Sequence, residues 1–98
     1  MSYEDSMRMI ARQMIAQHGK LVEVNYLSGH HPCHIELLFA DGYKEIVGEG
    51  TMQVDISMMK FGYQGTGTSC FHAFLSEAGF NVTLDQLANL ENGTVLKP

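Results

Sequence analysis

Apolar residues near the start of the chain recur with the spacing of an amphipathic helix. Tyr3, Met7 and Met14 lie at i, i+4 and i+11, so they fall on one face of a helix with about 3.6 residues per turn. Gly19 follows, and glycine often ends a helix because it readily adopts the left-handed conformation. The pattern therefore predicts a helix over residues 3–18.

The middle of the chain changes to an alternation of apolar and polar residues, which is typical of strands with one buried face. The predicted strands span residues 21–27, 33–40, 43–47 and 52–58. In the second of them, Leu37 and Phe39 share the face that we expect to contact the core.

The dipeptide Asp41-Gly42 is the strongest turn signal in the sequence. It favours a two-residue type I′ hairpin, in which both central residues have positive φ. Such a turn pairs Ala40 with Tyr43 and thereby fixes the register of the two strands that it joins.

That register gives the second face of the sheet an apolar component. Leu38, Tyr43 and Val47 fall on the face opposite the core, and Met9 lies off the apolar stripe of the first helix. A domain this small has few helices to cover two faces, so we expect the exposed apolar surface to bind protein. The predicted interface residues are Leu38, Tyr43, Val47, Met9, Met59 and Phe61.

Two more helices are predicted in the last third of the chain. Apolar residues share one face of the segment 68–78, and Gly79 follows it as a helix stop. Thr83 and Gln86 have the spacing of a capping box, which opens a short third helix. Residues 94–96 suit a short edge strand.

The element order is therefore α-β-β-β-β-α-α, in a single domain over residues 1–98. A run of strands flanked by helices predicts the α+β class. We expect an antiparallel sheet of four strands, with the N-terminal helix and two C-terminal helices packed on it.

Composition and charge narrow the range of partners. The chain has six Lys and Arg against eleven Asp and Glu, a formal net charge of −5. Duplex nucleic acid is not a predicted partner, because phosphate binding needs clustered cations. No segment approaches the roughly 20 apolar residues of a membrane-spanning helix. We expect no membrane contact and a cytoplasmic protein whose Cys33 and Cys70 are reduced.

A glycine-rich segment, residues 62–69, leads into the second predicted helix. Backbone N–H groups at a helix N-terminus bind anions, and glycine lets a ligand approach closely. The dinucleotide fingerprint and the phosphate-loop lysine are both missing, which favours a mononucleotide, a cyclic nucleotide or a carboxylate. The candidate ligand-binding residues are Tyr63, Gly65, Thr66, Gly67, Thr68 and Ser69. The alternative is a connecting loop with an N-cap.

Cysteine and histidine residues raise the question of a zinc site. Thiolate and imidazole groups bind zinc, and Cys33, His34, Cys70 and His72 would supply four ligands. Their spacing matches no standard zinc finger. Cys70 near a helix N-terminus also suits a nucleophile, with His34 as its base. The alternative is a core thiol with solvated histidines. We predict no cofactor, no metal and no catalytic residue.

The sequence favours a non-enzymatic binding protein that acts through a protein–protein surface, as small phage-type or accessory inhibitors and adaptors do. The expected partner is another protein, and we also expect a homo-oligomer, namely a homodimer. A small-ligand or nucleotide binder that uses Gly62–Ser69 is the alternative function. A zinc- or cysteine-dependent site is the second alternative.

Overall fold

The computed structural model describes residues 3–27, 34–47, 66–90 and 94–98. Within these ranges the elements are α1 (Tyr3–His18), β1 (Leu21–Leu27), β2 (His34–Phe39), β3 (Lys44–Val47), α2 (Thr66–Glu77), α3 (Leu84–Ala88) and β4 (Val95–Leu96). The strands form one antiparallel sheet in the order β3-β2-β1-β4. The predicted α+β arrangement is confirmed.

The fourth described strand, β4, is the short edge strand predicted near the C-terminus. It pairs with β1, where Val24 lies opposite Leu96 and Asn25 lies opposite Val95. The strand predicted over residues 52–58 lies outside the described residues.

Helices α1 and α2 pack together and cover one face of the sheet. Met7, Ala11 and Met14 of α1 are buried, as the apolar stripe predicts. They share one core cluster with Phe71 and Phe74 of α2 and with the buried apolar residues of β1 and β2. Burial of such large side chains is the main stabilising contribution to a domain of this size.

Local signals account for the ends of α2 and for the start of α3. Gly79 has a φ of 92°, and the Phe80 N–H donates to the Leu75 carbonyl at 2.9 Å, which is the bond of a Schellman motif. Thr83 accepts from the Gln86 N–H at 3.1 Å, and Gln86 accepts from the Thr83 N–H at 2.7 Å. Both predicted caps are confirmed. Helix α2 begins at Thr66, two residues before the predicted start.

A bulge near the start of β1 changes which of its residues face the core. Leu21 pairs with Phe39 and Glu23 pairs with Leu38, so β1 contains one extra residue at this point. Because of the extra residue, Leu21 and Val24 are both buried although they are three positions apart.

The hairpin between β2 and β3 differs from the predicted two-residue turn. The Gly42 N–H donates to the Phe39 carbonyl at 2.9 Å, and the Phe39 N–H donates to the Tyr43 carbonyl at 2.9 Å. Among the described residues only glycines have positive φ, so Asp41 does not adopt the type I′ conformation. The loop has three residues, 40–42, with Gly42 in the left-handed region, an arrangement that often follows a type I turn.

The longer loop shifts the register by one residue and so reverses the two faces of β3. Ile35 lies opposite Val47, and Leu38 lies opposite Lys44. Val47 is therefore in the core with 1 % of its surface exposed, and Tyr43 packs at the edge of the core. The prediction that Tyr43 and Val47 lie on the second face of the sheet was wrong.

A matched pair of valines tests this register. Val47→Ala should lower the free energy of unfolding by about 2 kcal/mol, because it removes two buried carbon atoms and leaves a cavity. Val95→Ala is the control, since Val95 is 48 % exposed; its cost should stay within about 0.5 kcal/mol. Urea unfolding measures both, and equal effects would contradict the buried position of Val47.

Candidate functional site

The predicted ligand loop is only partly within the described residues. Tyr63 and Gly65 lie outside them. Thr66, Gly67, Thr68 and Ser69 form the first turn of α2 rather than a loop. Ligand binding by residues 62–69 therefore stays a prediction.

Burial limits what that first turn offers to a ligand. Gly67 is buried, and Thr68 has 1 % of its surface exposed, whereas Ser69 is half-buried. The ligand-binding hypothesis requires the Thr68 hydroxyl to be accessible as a donor. In the structure this side chain is buried instead.

The cysteine and histidine residues of the zinc hypothesis fall in different environments. Cys33 and the side chain of His34 lie outside the described residues. Cys70 is a free, buried thiol on α2, and His72 Nε2 lies 3.1 Å from the carbonyl oxygen of Val82. Within the described part of the chain, no three His, Cys, Asp or Glu side chains form a group that could hold a metal ion.

The environment of Cys70 does not favour a nucleophile. Burial, with a smaller contribution from the negative charge of Glu4, raises the pKa of the Cys70 thiol. A thiol with a raised pKa holds its proton at neutral pH, and the thiolate is the reactive form. The thiol therefore acts as a small apolar group in the core.

Thiol labelling tests this assignment. In a Cys33→Ser variant, Cys70 is the remaining thiol. It should react with a disulfide reagent at least about a hundredfold more slowly in the folded protein than in urea, because a buried group reacts only when the structure opens. Reaction of the folded protein at the rate seen in urea would contradict the buried position.

The sheet face that points away from α1 and α2 is the main candidate surface, and we call it the outer face. Among the side chains that the structure describes, its apolar residues are Leu38, Ile46 and Val95, and Ile46 and Val95 are 46 % and 48 % exposed. Its polar residues are Glu23, Asn25, Glu36, Lys44 and, beside β4, Lys97. The predicted placement of Leu38 away from the core is confirmed, because Leu38 lies opposite Lys44.

Polar and charged side chains on the outer face contact one another within β1 and across the strands. Asn25 Nδ2 donates to Glu23 at 3.1 Å and to Glu36 at 3.2 Å. The ammonium group of Lys44 lies 3.7 Å from Glu36, and that of Lys97 lies 3.9 Å from Glu23. Exposed ion pairs of this kind contribute about 0–1 kcal/mol each, so they organise the surface more than they stabilise the fold.

The predicted interface also includes Met9, Met59 and Phe61. Met9 is exposed on α1, as its place off the apolar stripe predicts. Met59 and Phe61 lie outside the described residues. Their role in an interface stays a prediction.

A cluster of four polar side chains joins the end of α1 to the hairpin, and we call it the His18 cluster. It consists of His18, Asp41, Tyr43 and Glu45. The His18 ring stacks on the Tyr43 ring with centroids 3.9 Å apart and planes within 6°. The Tyr43 hydroxyl donates to Glu45 at 3.0 Å.

Asp41 is the acceptor at the centre of this cluster. Its carboxylate accepts from the Tyr43 N–H at 2.8 Å and lies 2.9 Å from His18 Nδ1. These two hydrogen bonds lower the pKa of Asp41. Because an ionised carboxylate only accepts, Nδ1 of His18 carries the proton that it donates. The bond to Glu45 raises the pKa of Tyr43.

The sequence did not predict the His18 cluster. His18 and Asp41 are 23 residues apart, so no local spacing connects them. The nearest signal was the position of His18 beside the helix stop Gly19, which explains a helix end but not a contact with the hairpin.

Asp41 should make stability depend on pH in the acid range. A lowered pKa in the folded state means that Asp41 stabilises the protein above its unfolded pKa of about 3.9, and that this contribution is lost as the pH falls through the folded value. The gap in unfolding free energy between the parent and Asp41→Asn should therefore shrink as the pH falls below about 4.

The control for that experiment is Asp5→Asn, which removes an exposed ion pair with Arg8 on α1. Denaturant unfolding across the acid range measures both variants. A gap between the parent and Asp41→Asn that does not change with pH would contradict the role of the Asp41 carboxylate.

Comparisons with known proteins were made by sequence and by structure. No family model, no curated protein and no solved structure matches this chain. Within the described ranges, none of the helices has the length and apolar character needed to cross a membrane.

Proposed function

We propose that the protein is a non-enzymatic binding protein whose outer face binds a second copy of the chain. The observation that carries this proposal is the exposure of apolar side chains on a sheet face opposite the packed helices. Ile46 and Val95 expose nearly half of their surface there, at the two edges of the sheet, and Leu38 lies on β2 in the neighbouring row of the same face.

The chemistry of the described residues supports binding rather than catalysis. The thiol of Cys70 is buried, and the carboxylate of Asp41 is engaged with His18 and Tyr43. The outer face, in contrast, combines exposed apolar groups on its edge strands with charged side chains on all but the C-terminal strand, and mixed apolar and polar surface is found in non-obligate protein interfaces.

Charge supports a second copy as the partner. The acidic residues Glu23 and Glu36 lie on the two central strands, and Lys44 and Lys97 lie at the two edges of the face. A symmetric dimer that brings an edge lysine of one copy toward a central glutamate of the other would pair unlike charges twice.

Paired lysine substitutions test the proposal. Ile46→Lys should weaken self-association by at least about tenfold, because it places a charge in an apolar interface. Leu84→Lys is the matched control, since Leu84 and Ile46 are both 46 % exposed but Leu84 is on α3. Sedimentation over a range of protein concentrations measures the dimer content of the parent and of both variants.

The result has two informative outcomes. A concentration-dependent dimer that Ile46→Lys disrupts and Leu84→Lys leaves intact would support the outer face as the interface. A parent protein that stays monomeric at every concentration, or a dimer that both variants form equally well, would overturn the proposal.

A further inference from the structure

The sequence of β3 places apolar residues in both phases of the strand. Tyr43 and Val47 are apolar in one phase of the strand, and Ile46 is apolar in the other. A strand with apolar residues in both phases specifies its register weakly, because a slip by one residue still buries an apolar side chain. Asp41-Gly42 itself favours the shorter loop, and thus the register that the structure does not adopt.

Each register places one charged residue of β3 on the helix side, Glu45 in the observed register and Lys44 in the shifted one. Glu45 lies opposite Leu37, on the side of the sheet that faces the helices, and it is half-buried. A slip to the two-residue turn would bring Ile46 opposite Leu37 and would move Glu45 to the outer face. Turn preference favours the shifted register, whereas the burial of Val47 favours the observed one.

Contacts with the end of α1 favour the observed register. The stack of His18 on Tyr43 requires Tyr43 on the helix side of the sheet. The Tyr43 hydroxyl then reaches Glu45 and supplies a hydrogen-bond donor to this half-buried carboxylate. The bond from the Tyr43 N–H to Asp41 holds the three-residue loop.

We propose that the His18 cluster is a register latch, which holds β3 in the three-residue-loop register against a slip by one residue. Release of the latch moves Tyr43 and Val47 to the outer face beside Leu38, and it moves Lys44 and Ile46 to the helix side. The latch thus decides which side chains the outer face presents. This proposal concerns strand register and does not depend on the proposed function.

Cross-strand contacts between α-protons distinguish the two registers by NMR. The observed register places Lys44 opposite Leu38, as a pair without hydrogen bonds to each other, so their α-protons are close. The shifted register places Lys44 opposite Phe39 instead. The parent protein should show the Leu38–Lys44 contact.

His18→Ala removes the latch and leaves the hairpin sequence unchanged. We expect a second set of resonances in this variant, with the Phe39–Lys44 contact. Arg12→Ala is the control, because it removes an exposed ion pair between α1 and Glu77 that is remote in sequence from the hairpin. The control should keep the Leu38–Lys44 contact alone.

Tyr43→Phe is the second variant, and it tests whether the His18 cluster controls the register of β3 if His18→Ala does not fold. It keeps the aromatic ring but removes the hydroxyl donor to Glu45, so the shifted contact is expected here too. If the folded variants show only the Leu38–Lys44 contact, the cluster does not control the register and the proposal is overturned.

Discussion

The close approach between the end of α1 and the β2–β3 loop is the constraint on which the rest of the structure depends. Gly19 makes it possible: its φ is 84°, and a Cβ at this position would lie 3.1 Å from the Cβ of Ala40. Across this contact the Ala40 N–H donates to the Lys20 carbonyl at 2.9 Å, and the Asp41 N–H donates to the His18 carbonyl at 3.1 Å. The loop is therefore bonded to the helix end by its backbone.

The faces of the sheet follow from that contact. With the loop held against α1, His18 stacks on Tyr43, and β3 takes the register that puts Val47 in the core. The same register leaves Lys44 and Ile46 on the outer face. One contact at the end of a helix thus links the packing of the core to the composition of the candidate binding surface.

Polar groups in the described residues are used mainly for structure. No buried side-chain nitrogen or oxygen there lacks a hydrogen-bond partner. His72 is bonded to a backbone carbonyl, and Asp41 caps the hairpin loop. The proposed binding function therefore rests on the exposed apolar residues of the outer face.

The sequence by itself determined the features that depend on neighbours along the chain. The stripe of α1, the stop at Gly79 and the capping box of Thr83 and Gln86 each involve residues at most a few positions apart, and all are present. Together with the strand patterns they were enough for the α+β class and for the outward position of Leu38.

Only the tertiary structure decided the register of β3 and the contents of the candidate site. The Asp41-Gly42 signal favoured the wrong loop length, because the deciding contacts come from His18, which is 23 residues from Asp41. Likewise the bulge in β1 depends on its pairing with β2. Contacts between distant segments leave no local pattern, and a slip of a single residue is enough to reverse every side chain of a strand.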